Sequence, residues 1–514
     1  MSLSSIAPLV QKYSILWTFR ESWFDIMTLR HLTRHLKVLS FRWGVWLLLP
    51  SFINTWLYSD RLTPSPPSSA SALQGLRGVA AVIVFHTHLL RSFSSFVDYG
   101  YGVDKISDLG LANLWFHQLP FLRLAYSGGA MVEIFFLVSG YTQSLQALRL
   151  IEKSKAGSSH RRLASAILSR IIRLVVPTFV AGVMVTIAVW LGLYEWGSSY
   201  RNTWFEGPGV GLPKESSLFM ALWAMCRSFY GLLRIWDWEE YIPAFNPYMW
   251  TIGVELRCSI ALQLTLAGVG LVHRSVRVPI TMGLMVCSHL YGRWEFVCYL
   301  SGLLLANICL IREVNVTVIG KNILSLPQTN SPRTVSPRRE HLNVRILYTV
   351  IFLIGLYLLS FPKEDGHLTP GYRILSSFTP SNWKLYRFWN NWGAFLVIFS
   401  LTNDRFLAHP FHHPILQYLG TISYAIYLVH RLVLHAVAYV FIPLMWLAMG
   451  KESIFSCVVS FELATCVVVV PSLIWVADIF HRAIDVPCGS LCFRIKRWVF
   501  SISKHDGDWK QVVT

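Results

Sequence analysis

An arginine and a histidine stand eleven residues apart in one long apolar run. The run begins Leu76-Arg77-Gly78 and continues to His88. Eleven helical residues make about three turns and rise about 16 Å, so Arg77 and His88 share a helix face and His88 lies deep in the run. His86 points to the opposite side, so the spacing selects His88 as the partner of Arg77. A histidine exchanges protons near neutral pH, which makes His88 a candidate general base; the alternative is a polar residue that only bonds a neighbouring helix.

Glu133 is a second ionisable residue in an apolar run. In a bilayer such a group costs at least about 2.5–3.5 kcal/mol, so it needs a reason. It could orient a histidine, pair with an arginine or bridge two helices.

Arg170 and Arg173 lie three residues apart, hence on one helix face, just before another apolar run and at the predicted cytoplasmic membrane surface. The two could clamp phosphates of a nucleotide-like donor, although the sequence alone favours an anchor on lipid phosphate.

Other polar or aromatic residues in apolar runs are weaker candidates. His430 lies about ten residues into its run and is a second candidate base, and Tyr424 precedes it. Trp250 and Glu255 open another run, where we expect the glutamate near the lumenal end and where the tryptophan could be an ordinary interfacial aromatic. Ser139 lies in a stretch with small residues that permit close helix approach.

Neither a P-loop nor a dinucleotide fingerprint, nucleophile elbow or HExxH motif occurs in the sequence. The adjacent His412 and His413 do not share a helix face, so they are a weak metal signal. The nine cysteines are scattered without a C-x-x-C pair, so we read them as small apolar residues. Two classes stay open: a membrane enzyme with a histidine base and no metal, or a transporter with charges along its path.

The chain is rich in apolar residues and poor in charge. Of 514 residues, 54% are hydrophobic and 14% are charged, whereas soluble globular chains carry about 25% charged residues. Apolar stretches of about 18 residues recur, the length that crosses a hydrocarbon core. No short apolar segment with a small-residue cleavage site opens the chain, so a cleaved signal peptide is not expected. We therefore predict an all-α, polytopic transmembrane helix bundle that lies in the lipid bilayer.

The apolar runs predict about ten transmembrane helices. The predicted spans are 74–92, 126–147, 174–194, 248–271, 278–291, 294–312, 346–361, 389–402, 417–443 and 455–480. The net charge of +18 falls in segments between the runs, as the positive-inside rule expects of cytoplasmic loops, which argues against a nucleic-acid partner.

Loop charge also predicts the organisation of the chain. Residues 1–70 form a basic cytoplasmic extension whose apolar segment 43–58 lies in the interface, because a crossing there would break the charge alternation. The apolar segment 216–235 is also predicted not to span the membrane, because a crossing there would break the same alternation of loop charge. The transmembrane domain covers 71–482, with a Ser-, Pro- and Arg-rich cytoplasmic loop at 313–345 that we expect to be disordered. Residues 483–514 form a basic tail, so both termini are cytoplasmic.

Five short motifs in order resemble the acyltransferase 3 family of membrane-bound O-acyltransferases. The match runs from about residue 71 to 482, and the wording around Trp250 resembles fungal members. The motif residues are Leu76, Arg77, Gly78 and His88; Phe135, Phe136, Ser139 and Gly140; Arg170, Arg173 and Pro177; Trp250, Thr251 and Glu255; and Ile422, Ser423, Tyr424, Tyr427, Leu428 and His430. One departure is Glu133, where many bacterial members have Asp. The N-terminal extension and the 313–345 insert have no counterpart in the minimal pattern.

The resemblance implies transfer of an acyl group, in the first place acetyl from the co-substrate acetyl-CoA, to a hydroxyl. It implies that acyl-CoA docks on Arg170 and Arg173, and that His88, oriented by Arg77, Glu133 or another neighbour, removes the proton of the acceptor. Fungal-type relatives suggest a terpenoid or polyketide acceptor from secondary metabolism, with a cell-wall glycan or a lipid as the alternative. An endomembrane, in particular the endoplasmic reticulum, is the expected location. The sequence does not indicate an oligomeric state.

Overall fold

The structure is a computed structural model, and it describes residues 49–51, 69–106, 112–153, 156–197, 215, 217–324, 337–450 and 452–501. Its contacts divide the chain at Pro64, and the helices described here all belong to the unit Ser65–Thr514. Of the predicted basic extension 1–70, only residues 49–51 and 69–70 are described, so the interfacial position of 43–58 stays a prediction.

The described part of the chain is almost entirely helical. Its α-helices are α1 Ser69–Phe93, α2 Gly128–Lys153, α3 Ala156–Trp190, α4 Leu218–Leu232, α5 Trp250–Val269, α6 Arg274–Leu290, α7 Trp294–Leu324, α8 Pro337–Leu359, α9 Arg373–Ser377, α10 Leu385–Asn403, α11 Arg405–Ala408, α12 Pro414–Val433, α13 Tyr439–Met449, α14 Ile454–Ala464, α15 Val470–Phe480 and α16 Val486–Ser501. A small antiparallel ribbon pairs β1 Val103–Ile106 with β2 Ala112–Asn113.

Three short π-helical turns join the last helices into two long rods. They are Leu434–Ala438, Thr465–Val469 and His481–Asp485. The first links α12 to α13, and the other two link α14, α15 and α16. Each π-turn inserts one residue into the ladder and so changes the face that the following helix presents.

Seven helical spans among the described residues are long and apolar enough to cross a membrane. They are Ala70–Phe93, Leu163–Trp190, Pro247–Val269, Trp294–Glu313, Leu342–Leu359, Pro414–Met449 and Ile454–Phe500. The prediction of a helical membrane bundle is therefore confirmed, but its count of about ten is not. The remaining predicted spans correspond to α2, α6 and α10, which are helices that do not meet this standard of length and apolarity.

Two segments between the predicted spans contain helix. Helix α4 has 15 residues, and its rise of about 22 Å is shorter than the roughly 30 Å of a hydrocarbon core, consistent with its predicted non-spanning position. The segment 313–345, predicted to be disordered, is largely helical where it is described: α7 continues to Leu324 and α8 begins at Pro337. In both cases the helix of the neighbouring span extends into this segment. The division into domains otherwise stays a prediction.

Glycines hold α1 against α12. A Cβ on Gly420 would lie 2.2 Å from the backbone oxygen of Gln74, and a Cβ on Gly78 would lie 2.6 Å from the backbone nitrogen of Gly420. Small residues allow helix backbones to approach this closely in a membrane. The side chain of Gln74 also donates a 3.0 Å hydrogen bond to Thr421 Oγ1. The two helices are thus fixed in register at these glycines.

A second glycine crossing joins α2 to α7. A Cβ on Gly302 would lie 2.3 Å from the backbone nitrogen of Tyr141, and one on Gly140 would lie 2.6 Å from the backbone oxygen of Tyr299. This contact explains the glycine of the Phe-Phe-x-x-Ser-Gly motif, because no larger residue fits. It also positions the neighbouring Ser139, which faces α5.

Candidate active site

His88 and His430 lie together with Tyr248 where α1, α12 and the start of α5 meet. The ring centroids of His88 and Tyr248 are 3.9 Å apart, those of Tyr248 and His430 are 5.1 Å apart, and the two imidazoles are 5.3 Å apart and nearly parallel. We call these three rings the histidine stack. Both histidines were predicted as candidate bases, and the structure brings them together.

The register of α1 and α12 explains why the histidines meet. His88 follows Gly78 by ten residues, and His430 follows Gly420 by ten residues. Because the glycines touch and both helices rise about 1.5 Å per residue, equal steps along the two helices end at the same level. His430 is 1% exposed, while His88 is partly exposed.

Tyr427 holds both neighbours of His88 in place. Its backbone oxygen accepts a 2.6 Å hydrogen bond from His430 Nδ1, and its hydroxyl donates to the backbone oxygen of Tyr248. The Thr251 hydroxyl lies 2.5 Å from the same tyrosine hydroxyl and completes the chain of hydrogen bonds. Upstream, the side chain of Asn246 accepts a hydrogen bond from Tyr248 N and caps the short turn that carries the tyrosine. Tyr427 therefore connects His430 to Tyr248, the two rings that contact His88.

Two arginines give the surroundings of the stack a positive character. Arg431 Cζ lies 5.7 Å from the ring centroid of Tyr248. Arg91, one turn beyond His88 on α1, forms an ion pair with Asp98. Both guanidinium groups act electrostatically on His88. Such an environment favours negative charge that develops near the imidazoles.

A second group of charges lies at the other end of the Arg77–His88 face. Arg170 forms an ion pair with Glu255, and Ser139 Oγ donates to Glu255 Oε1 at 3.1 Å. Arg77 is close enough to interact with Glu255, Arg170 and Arg173. We call Arg77, Arg170, Arg173 and Glu255 the arginine cluster. It carries three positive charges and one negative charge.

The arginine cluster changes what was expected of Arg170 and Glu255. Arg170 lies inside the span Leu163–Trp190, and Glu255 lies inside Pro247–Val269. The two were placed at opposite surfaces from the sequence, yet they are in direct contact. The reason is that α3 begins at Ala156, well before position 174, so Arg170 stands within a continuous helix and its side chain reaches Glu255. Arg173 is exposed and is the freer of the two predicted phosphate ligands.

Arg77 does not contact His88, contrary to the partnership inferred from their spacing. The eleven residues between them put about 16 Å between their levels, so sharing a face does not bring the side chains together. His88 contacts the ring of Tyr248 instead, and Arg77 lies close enough to Glu255 to interact with it electrostatically. His86 is turned toward the loop, where its Nδ1 lies 2.9 Å from the backbone oxygen of Ala125.

Glu133 pairs with an arginine on α10 and so does not orient His88. Its carboxylate accepts hydrogen bonds from Arg387 at 3.2 Å and from Asn391 Nδ2 at 2.8 Å, and it is fully buried. Arg387 Cζ also lies 3.9 Å from the ring centroid of Trp294 and 5.5 Å from that of Trp250. Trp250, a candidate interfacial aromatic, is thus part of the packing around a buried ion pair. The pair ties α2 to α10.

Tyr424 links α12 to α3 beside the arginine cluster. Its hydroxyl donates a 2.9 Å hydrogen bond to the backbone oxygen of Leu174 and lies 3.0 Å from Thr178 Oγ1.

The sequence analysis did not select two residues of the site, Tyr248 and Arg387. Tyr248 lies two residues before the motif that begins at Trp250, but it carries no charge that would mark it as a site residue. Arg387 precedes the predicted span 389–402, although an arginine in an apolar run was a usable signal.

The histidine stack and the arginine cluster lie at different levels along α1. Helix α1 carries Arg77 and His88 about 16 Å apart along its axis. Tyr248 lies at the stack in the short turn just before α5, and Glu255 lies at the cluster within α5. The arginine cluster can therefore hold an anionic group, and the imidazoles can exchange a proton about 16 Å away from it.

Comparison with known proteins gives the same assignment for most of the chain. The family model described as an acyltransferase domain, that of the acyltransferase 3 family, matches residues 71–479. Acyltransferase R4 of a Phoma species is 25% identical over 84% of this chain and 97% of its own length. Acyltransferase clz18 of Cochliobolus lunatus is also 25% identical, over 82% and 95%. O-acetyltransferase PaAT-1 of Phomopsis amygdali is 28% identical over 70% and 71%.

No solved structure matches the chain. The family model covers the helices that build the histidine stack and the arginine cluster. The chain belongs to the acyltransferase 3 family and is an acyltransferase that acts on hydroxyl groups.

Proposed function

We propose that the protein transfers an acetyl group from acetyl-CoA to a hydroxyl of a small secondary metabolite of terpenoid or polyketide type. Membership in an acyltransferase family favours an enzyme over the transporter that the sequence alone left open. The relative from Phomopsis amygdali is an O-acetyltransferase, which favours acetyl over longer acyl groups. A cell-wall glycan or a lipid is the alternative acceptor.

The observation that carries this proposal is the meeting of two imidazoles deep in the protein. Their rings are 5.3 Å apart, and they lie about 16 Å along α1 from an arginine cluster. One imidazole removes the proton of the acceptor hydroxyl, and the oxygen attacks the thioester carbonyl. General base catalysis contributes typically 10²–10⁴-fold, so positioning and electrostatic stabilisation must supply the rest.

The donor is proposed to dock at the arginine cluster. Arg173 is exposed and Arg77 is partly exposed, so both are available to phosphate groups. Arg170 is already bonded to Glu255, so its part is to hold the positive group together and not to act as half of a simple two-arginine clamp. The pantetheine arm then runs toward the histidine stack. The predicted topology puts this entrance on the cytoplasmic side of an endomembrane, where acyl-CoA is available.

The direct test is transfer of labelled acetyl groups by the purified full-length protein. Radiolabelled acetyl-CoA is incubated with a panel of hydroxylated terpenoids and polyketides, and with glycan and lipid acceptors, and the labelled products are separated. We expect labelled ester with at least one small-molecule alcohol and loss of that product in His88→Ala.

The matched control is His86→Ala, which removes a histidine from the same helix but outside the stack. It should keep the wild-type rate. The proposal fails if the wild-type protein transfers acetyl to none of these acceptors, or if His88→Ala and His86→Ala are equally active. Label found only in glycan or lipid would replace the proposed acceptor class.

A further inference from the structure

The hydrogen bond of His430 to a backbone carbonyl determines where its proton lies. His430 Nδ1 is 2.6 Å from the backbone oxygen of Tyr427. A carbonyl oxygen can only accept a hydrogen bond, so Nδ1 must carry the proton. In the neutral ring, Nε2 then has a free lone pair. A carbonyl acceptor on the opposite nitrogen is a common way to orient a histidine and to raise its basicity.

The Nε2 lone pair of His430 is buried and accepts no hydrogen bond from the described residues. Nε2 is enclosed by protein and has no hydrogen-bond partner among the residues that the structure describes, and the residue is 1% exposed. A buried acceptor without a hydrogen bond destabilises the folded protein, so such an atom needs an explanation. A substrate hydroxyl at the histidine stack would supply the missing donor.

His88 differs from His430 in each of these respects. Its ring is partly exposed, and the described residues offer no hydrogen bond that would fix its tautomer. Arg91 and Arg431 act on it electrostatically. Two positive neighbours disfavour a cationic imidazole at His88, but they suit a neutral ring that donates an N–H to a developing negative charge.

We propose that His430 is the proton acceptor of the reaction and that His88 donates a hydrogen bond to the thioester oxygen as it becomes negative. The geometry that points to this is the carbonyl-bound Nδ1 and buried, unpaired Nε2 of His430. It reverses the assignment of the base that the Arg77–His88 spacing suggests. The inference rests on the proposed function, since it divides one acyl transfer between two histidines.

The step balances without another reactant. The acceptor O–H bond breaks, its proton goes to His430 Nε2, and the oxygen forms a bond to the carbonyl carbon. The carbonyl electron pair moves to the carbonyl oxygen, which accepts the hydrogen bond from His88. Collapse of this intermediate breaks the carbon–sulfur bond, and the sulfur takes the proton from His430. The products are the ester and free coenzyme A, and both histidines end neutral.

Amide substitutions separate a base from a hydrogen-bond donor. Glutamine can donate a hydrogen bond but cannot take up a proton. The experiment measures acetyl transfer from radiolabelled acetyl-CoA to the alcohol that the wild type uses best, for His88→Ala, His88→Gln, His430→Ala and His430→Gln. Thermal unfolding of each variant controls for folding, and His430→Asn is a second variant whose amide can still donate to the Tyr427 carbonyl.

The two histidines should respond differently. We expect His430→Gln and His430→Asn to lose kcat as fully as His430→Ala, by roughly 10²–10⁴-fold. His88→Ala should lose roughly 10²–10³-fold, as when one oxyanion donor is removed. His88→Gln should recover about tenfold of that loss, the effect of one retained hydrogen bond. An active His430→Gln together with a His88→Gln as inactive as His88→Ala would overturn the assignment.

The tautomer can be tested without any acceptor. Nitrogen NMR of the protein labelled at histidine, with His430 identified by its absence in His430→Gln, should show Nδ1 protonated and Nε2 unprotonated. Protonation at Nε2 would overturn the inference even if the enzyme is active. Conversely, a wild type that transfers acetyl to no alcohol refutes the proposed function while the NMR result still stands. The two failures are therefore distinguishable.

Discussion

Replacing Gly420 by alanine should disturb the histidine stack from ten residues away. The new Cβ would lie 2.2 Å from the backbone oxygen of Gln74, which is 0.8 Å inside the 3.0 Å limit that real Cβ contacts respect. The obstacle is backbone and cannot rotate away. Helices α1 and α12 must therefore separate or slide by about 0.8 Å, and each carries one histidine of the stack.

The expected loss of rate is larger than the expected loss of stability. A misplacement of about 1 Å can cost roughly 100-fold in rate. Overpacking costs about 1–3 kcal/mol, but replacing glycine by alanine within a helix returns about 1 kcal/mol, so the net loss of unfolding free energy should be about 0–2 kcal/mol. Gly420→Ala should thus remain folded while its acetyl-transfer rate falls by roughly two orders of magnitude.

The assay compares the rate of labelled acetyl transfer and the Tm of Gly420→Ala with those of Gly268→Ala. Gly268 is also helical, but its Cβ would meet nothing within 4 Å, so the control gains helix propensity without a clash. The control should keep the wild-type rate. If Gly420→Ala kept that rate as well, the idea that this glycine contact sets the separation of the histidines would be wrong.

Three further changes test other parts of the structure. Glu133→Gln leaves Arg387 buried without its counter-charge and should cost about 3–5 kcal/mol of unfolding free energy in thermal or denaturant unfolding, whereas a small loss would show that the pair is not a structural tie. Arg173→Ala should raise the KM for acetyl-CoA by at least roughly tenfold with little change in kcat, while the exposed Arg405→Ala should not; equal KM values would refute donor docking there. Asn315 begins the glycosylation sequon Asn-Val-Thr within the segment predicted to be cytoplasmic. It should stay unglycosylated when the protein is made in a eukaryotic host, and a mobility shift on glycosidase treatment would overturn the cytoplasmic placement of this segment.

Local features of the fold followed from the sequence. Apolar length predicts membrane helices because each span must satisfy its own backbone hydrogen bonds in lipid. The positions of the helices were therefore predictable, although seven spans and not ten meet the membrane criterion in the described residues. The ends were less predictable: α3 begins at Ala156, so Arg170 lies within the candidate span Leu163–Trp190 and not before it.

The partners of the polar residues were not predictable from spacing alone. Several arginines in the sequence could have paired with Glu133, and its partner in the structure, Arg387, lies 254 residues away in the chain. Arg77 and His88 share a helix face, but a shared face over three turns does not imply contact. Only side chains one turn apart on a helix, or those facing each other across two helices, can touch.

The amino-acid sequence is sufficient to predict a helical membrane protein, the positions of its helices and the residue types able to hold an anion and move a proton. Which of these residues meet depends on the packing of the helices: His88 contacts Tyr248 and His430, and Arg170 contacts Glu255. The physical reason is that helical periodicity is a local property of a run, whereas contact between runs depends on which faces can approach. Here that approach is set by glycines such as Gly78 and Gly420, whose matching offsets from the two histidines acquire meaning only when α1 and α12 are side by side.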